Sequence, residues 1–121
     1  MVVFIPCDPD QPIEARPLPV QLADQQSMVG GYIELVRLSE QTGLWVDEDG
    51  LMKKLRPNRR ASAVRAEVMR ISGSHPSVPP IVGDAVLVGL GGADFMDFPD
   101  VLISGVEEMI GQKVVRLDGQ H

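Results

Sequence analysis

The residues best equipped for chemistry lie between positions 53 and 60. Lys53, Lys54, Arg56, Arg59 and Arg60 place five cations around Asn58, just before and at the start of an apolar-periodic stretch. Asn58 is a good N-cap, so the spacing predicts a helix from there to about Ile71. Unsatisfied N–H groups at a helix start favour anions. Arg59 or Arg60 can add a bidentate grip on a phosphate or carboxylate, and Asn58 can either cap the helix or read a ligand. Arginines in a first turn oppose the helix dipole, a small cost that favours a functional reason for them. Three readings stay open: a solvated basic face partly neutralised by Asp47, Glu48 and Asp49, an anion or nucleotide site, and a protein contact.

Other candidate chemistries fail on spacing. Asp47-Glu48-Asp49-Gly50 resembles part of a calcium loop, which needs oxygen ligands at alternating positions and a terminal glutamate six residues after its glycine. Aligning Gly50 puts Trp45 at the first ligand position and Arg56 at the last. A hairpin turn with solvated carboxylates is the expectation instead, with an acidic contact surface as the remaining reading. His75, His121 and Cys7 share no metal-ligand spacing, and Cys7 is expected to have no nearby cation to make it a thiolate. Gly89-Leu90-Gly91-Gly92 follows a strand but matches neither phosphate-loop pattern, and Asp94 and Asp97 follow it. No nucleophile–base pair or metal set can be assembled, so the expectation is a protein that is not an enzyme and needs no cofactor.

Composition narrows the partners. The chain has 121 residues and a net charge of −6, which opposes general affinity for nucleic acid or an anionic membrane. The charge is segregated: residues 53–70 carry seven cations against Glu67, a local +6 that leaves −12 elsewhere. One cysteine permits no intrachain disulfide and points to a reducing compartment. The N-terminus reads as a strand rather than a signal peptide, and no apolar run nears the roughly 18 residues of a membrane span.

These residues need elements to hold them. Val2–Ile5 and Ile13–Leu18 read as a strand pair, the second at an edge because of Pro17 and Pro19. Leu22–Val29 reads as a short helix stopped by Gly30-Gly31. Tyr32–Leu38 alternates as the clearest strand, followed by Leu44–Val46 and a hairpin turn at Gly50. In the helix after Asn58, Ala61, Val64, Val68 and Ile71 face inward while Arg59, Arg65 and Arg70 face outward. Gly73–Pro80 is a loop, and Ile81 and Ala85–Gly89 form a later strand. Gly91–Phe98 reads as a flexible acidic loop and Pro99–Ile110 as a helix burying Val101, Leu102, Val106, Met109 and Ile110. Lys113–Leu117 can add a last strand. The sum is one α+β domain over 1–121: a small mixed or mainly antiparallel sheet of about five or six short strands with two or three helices packed on it.

Four motifs carry a family resemblance: Gly30-Gly31-Tyr32-Ile33-Glu34, Val46-Asp47-Glu48-Asp49-Gly50, Pro57-Asn58-Arg59-Arg60-Ala61 and Ile81 to Gly89. In order and spacing they resemble small uncharacterised proteins of phages, plasmids and actinobacterial genomes, grouped as a domain of unknown function. The resemblance covers residues 1–90, with 91–121 as an acidic loop, a helix and a final strand beyond it. It implies a phage or mobile-element origin and action in the cytoplasm of a bacterial host. It implies no activity. Gly31, Tyr32, Glu34, Asp47, Glu48, Gly50, Asn58 and Ala61 are the residues that recur in such proteins. Glu34 and Asn58 are the two least explained by architecture, as members of a buried polar network or a ligand-binding corner.

The expected function is therefore binding. One form is capture of a small anionic, nucleotide-type ligand, as some phage counter-defence proteins do. The other is contact with a host protein, motivated by charge segregation, the acidic tail and Phe95 and Phe98 as exposed aromatics. The alternative is a nucleic-acid-binding regulator acting through 53–70, opposed by the net charge and the lack of nearby stacking aromatics. No membrane partner is expected, and homo-oligomerisation stays open. The site residues are Glu34, Arg56, Asn58, Arg59 and Arg60.

Overall fold

Four consecutive buried residues, Val2–Ile5, form strand β1, and their alternation sets the architecture. Val3 and Ile5 point into one apolar cluster, Val2 and Phe4 into another. A strand covered on both faces reads as an unbroken apolar run, because each face needs its own layer. The computed structural model describes residues 1–73, 80–91 and 94–117. His75 and His121 lie outside them.

After β1 come β2 (Glu14–Arg16), α1 (Leu22–Val29), β3 (Ile33–Arg37) and β4 (Thr42–Asp47). Then follow α2 (Arg59–Ile71), β5 (Ala85–Gly91), β6 (Asp94–Met96), α3 (Ile103–Ile110) and β7 (Val115–Arg116). The sheet order is β3-β4-β5-β1-β2-β7, with β6 also on β5. Every pairing is antiparallel except the parallel β2–β7 ladder. This is the α+β class, with α2 and α3 over one face of the sheet and α1 over the other.

The first core joins Val3, Ile5, Leu44 and Leu87 of the sheet to Ala61 and Val64 of α2 and Ile103 and Val106 of α3. The second joins Phe4, Trp45 and Val86 to Met28 and Val29 of α1. Helix α1 stops where Gly30 takes φ +83°, with its N–H donated to the Gln26 carbonyl. That left-handed conformation is open to glycine without a Cβ penalty.

Several expectations change. Strand β2 is not an edge, because β7 pairs along it; Pro17 falls just beyond the strand. The Asp47–Gly50 turn ends β4 and leads into a helical turn rather than a hairpin, with Lys53 N–H bonded to the Asp49 carbonyl. Strand β5 continues through Gly89 to Gly91, and β6 occupies part of the expected acidic loop. A 3-10 turn, Asp100–Leu102, precedes α3, and its Val101 and Leu102 are exposed. Phe98 is buried, and Phe95 packs edge-on against Trp45 with ring centroids 5.1 Å apart. Neither serves as an exposed aromatic. On α2, Ile71 is exposed and Arg65 is buried, the reverse of the expected facing. No helix among the described residues is long and apolar enough to cross a membrane.

Candidate functional site

The basic segment is positioned by Asn58. Its side-chain Oδ1 accepts the Ala61 N–H at 3.0 Å, the expected cap. Its Nδ2 donates to the Ile5 carbonyl at 2.8 Å and the Gly83 carbonyl at 2.9 Å. The side chain is fully buried, so the ligand-reading alternative fails for Asn58. One amide thus locks the start of α2 to the end of β1 and to the chain entering β5. Flanking hydrogen bonds support it: Asn58 N–H to the Ile81 carbonyl, and Gly83 N–H to the Arg56 carbonyl.

Around this anchor, Arg56, Arg59 and Arg60 line one concavity of about 340 Å³, together with Cys7, Pro9 and Pro57. The three guanidinium groups play different parts. Arg60 donates to the Pro6 and Asp8 carbonyls at 2.9 and 2.8 Å and to Gln112 Oε1 at 3.1 Å. It staples the β1–β2 turn and the segment after α3 onto α2. Burial lowers its proton affinity, opposed by Asp8 and Cys7, yet an arginine remains cationic at neutral pH. Arg56 lies 3.8 Å from the Asp8 carboxylate, an ion pair too long for a hydrogen bond. Arg59 is exposed, and no described residue engages its guanidinium. The first-turn N–H groups of α2 also lack intrahelical partners by construction.

Cys7 borders the same concavity. Its thiol is pushed above its ordinary 9.0, first by burial and then by the charge and hydrogen bonding of Asp84, which outweigh Arg56. At neutral pH it is a protonated thiol, suited to a wall and not to nucleophilic attack. The concavity therefore offers fixed positive charge without an activated nucleophile.

Glu34 is elsewhere. It lines a separate cavity with Glu48 and Arg65, between the β3–β4 edge and α2. The five candidate residues thus split three ways: three arginines at one concavity, Asn58 buried as their anchor, and Glu34 at a second cavity. Cys7 and Pro9 were missed because they adjoin the arginines only through the fold. Arg65 had a signal: it lies four residues after Ala61 and three before Val68, in phase with the apolar stripe.

The acidic turn is architectural. Asp47 is buried, accepts from Lys53 Nζ at 2.7 Å and from the Asp49 N–H at 2.8 Å. Among the described residues, no group of three or more His, Cys, Asp or Glu side chains could hold a metal ion.

A family model described as Domain of unknown function (DUF3846) matches residues 2–111. The chain belongs to this family. The match reaches past Gly89, where the last resembling motif ends, and takes in β6 and α3. No curated protein and no solved structure matches the chain.

Proposed function

We propose that this DUF3846 protein is a non-enzymatic binder of a small anionic, nucleotide-type ligand. The observation that carries this reading is the convergence of Arg56, Arg59 and Arg60 on one concavity. A concave site of this size lies at the lower end of the range for small-molecule pockets, about 300 to 1,000 Å³. Arg59 supplies the unengaged guanidinium for a bidentate contact. Arg56 adds charge beside it, and Arg60 holds the wall. The setting we propose with it, drawn from the motif resemblance, is a phage or mobile element acting in the cytoplasm of a bacterial host, in host takeover or counter-defence.

Two competing readings have less support. Contact with a host protein rested partly on Phe95 and Phe98, and Phe98 is buried while Phe95 packs on Trp45. Nucleic-acid binding through 53–70 needs a continuous cationic stripe. Lys53 is instead tied to Asp47, Arg60 to two carbonyls, and Arg70 to Glu67, while Arg65 is buried.

Calorimetry with nucleoside mono-, di- and triphosphates and cyclic nucleotides tests the proposal. At least one should bind, and Arg59→Glu should weaken it by about tenfold or more, the scale of one lost charge-assisted contact. Because Arg59 is exposed, the melting temperature should hardly move. Failure of every nucleotide to bind, or undiminished binding by Arg59→Glu, would overturn the reading.

A further inference from the structure

The arginine concavity has a neighbour. Cys7 and Arg56 also line a smaller concavity of about 210 Å³, so the two spaces share a wall. Val29, buried at the end of α1, and the half-buried Leu55 give the smaller space an apolar surface. A flat ring placed there would lie beside the cations that line the larger one.

The polar groups of the smaller space are not equivalent. Asp47 and Lys53 border it, but they are bonded to each other at 2.7 Å. Asp84 lines it from the chain entering β5. Its Oδ1 accepts the Cys7 N–H at 2.9 Å, which fixes the carboxylate beside the shared wall. The Cys7 thiol is its other hydrogen-bonding neighbour. An ionised carboxylate has about four lone-pair sites, so acceptor capacity remains for a ligand. Asp84 belongs to no ion pair with a described residue.

We propose that the ligand is a guanine nucleotide, with its phosphates against Arg59 and Arg56 and the hydrogen-bonding edge of its base on Asp84. This rests on the anionic, nucleotide-type reading of the arginine concavity and adds the identity of the base. An ionised carboxylate only accepts hydrogen bonds. Guanine presents two adjacent donors, the ring N1–H and the exocyclic 2-amino group, and both can be accepted there. Adenine and cytosine each present an amino donor beside a ring-nitrogen acceptor. Uracil presents one N–H between two carbonyls. Each of these sets an acceptor against the carboxylate. A site built to pair with one polar edge rejects ligands that leave it unpaired. Arg56, which lines both spaces, offers a guanidinium plane on which a base can stack.

The test is calorimetry on the full chain with guanosine, inosine and adenosine diphosphates. The guanine nucleotide should bind about tenfold or more tightly than the adenine one. Inosine diphosphate, which lacks the 2-amino group, should fall between them. Asp84→Asn keeps an oxygen for the Cys7 N–H but replaces half of the acceptor edge with a donor. It should bind guanosine diphosphate about tenfold more weakly and adenosine diphosphate at least as tightly as the parent does. Arg59→Glu should weaken both alike. Equal affinity for the two bases, a preference for adenine, or undiminished guanine binding by Asp84→Asn would overturn the base assignment and leave the anionic site standing. So would an Asp84→Asn protein that loses both nucleotides equally, the mark of a purely structural role. If no diphosphate binds, the base assignment falls, and the wider screen of mono-, tri- and cyclic nucleotides decides the anionic reading separately.

Discussion

The Asp47 carboxylate and the Lys53 ammonium meet at 2.7 Å, in the space that a side chain on Gly31 would enter. A Cβ at Gly31 would stand 2.9 Å from Asp47 Oδ2 and 2.9 Å from Lys53 Nζ. The ion pair therefore dictates the glycine, and the two motifs Gly30-Gly31-Tyr32 and Val46-Asp47-Glu48-Asp49-Gly50 are one packing unit. Gly31→Ala must push the pair apart and should cost about 1–3 kcal/mol, read from the denaturant midpoint.

The same pair sets an acid dependence. Burial alone would raise the Asp47 carboxyl, but hydrogen bonds from Lys53 and the Asp49 N–H, with the Lys53 charge, hold it below its ordinary 3.8. The folded state binds this proton less readily than the unfolded chain. Its stabilisation is thus present above pH 3.8 and lost as pH falls through the lower folded value. In urea melts across that range, Asp47→Asn should be less stable than the parent at neutral pH. The gap should narrow below about pH 4. A gap independent of pH would count against the ionised pair.

Asn58 should behave as a structural anchor. Removing it strands two buried carbonyls and the Ala61 N–H. Asn58→Ala should lose about 2–4 kcal/mol, combining a lost cap with unsatisfied buried groups. Asn58→Asp should be worse, because it turns carboxylate oxygen toward the Ile5 and Gly83 carbonyls. Equilibrium unfolding of the two variants decides this, and an Asn58→Asp protein as stable as the parent would contradict the assignment.

Cys7 should be a slow thiol. Held above 9.0 by burial and Asp84, it should react with iodoacetamide more slowly than a free cysteine at neutral pH. The rate should keep climbing as pH passes 9.0. Asp84→Asn should bring that climb to lower pH.

Trp45 is fully buried, and its indole N–H finds no partner among the described residues. Trp45→Phe should therefore forfeit volume but no hydrogen bond, whereas Trp45→Ala should cost about 3–5 kcal/mol. A Phe variant as damaged as the Ala variant would show that the N–H matters. As the one tryptophan in the chain, it should give blue-shifted emission when folded and shift to the red on unfolding.

Local signals in the sequence were reliable where the physics is local. The alternation of Ile33–Arg37, the Gly30 stop and the Asn58 cap all depend on near neighbours, and all appear as read. What could not be read was convergence. Asn58 reaches Ile5 and Gly83, and Arg60 reaches Pro6 and Gln112, across separations that leave no periodic trace. Phe98 looked exposed because its segment is rich in aspartate. Its N–H in fact joins the Met1 carbonyl and its ring enters the core. The charge of Arg65 favours an outward position and its helical phase an inward one; the residue is buried, so phase outweighs charge there.

The parallel strand β7 gives the family boundary a practical meaning. Val115 and Leu117 donate their N–H groups to the carbonyls of Ile13 and Ala15, closing the row along β2. The family match stops at residue 111, before that seam. A fragment trimmed to the match would leave a bare strand edge, a template for sticking to its own copies. The minimal portable unit for expression or crystallisation is thus longer than the span by which the family is recognised.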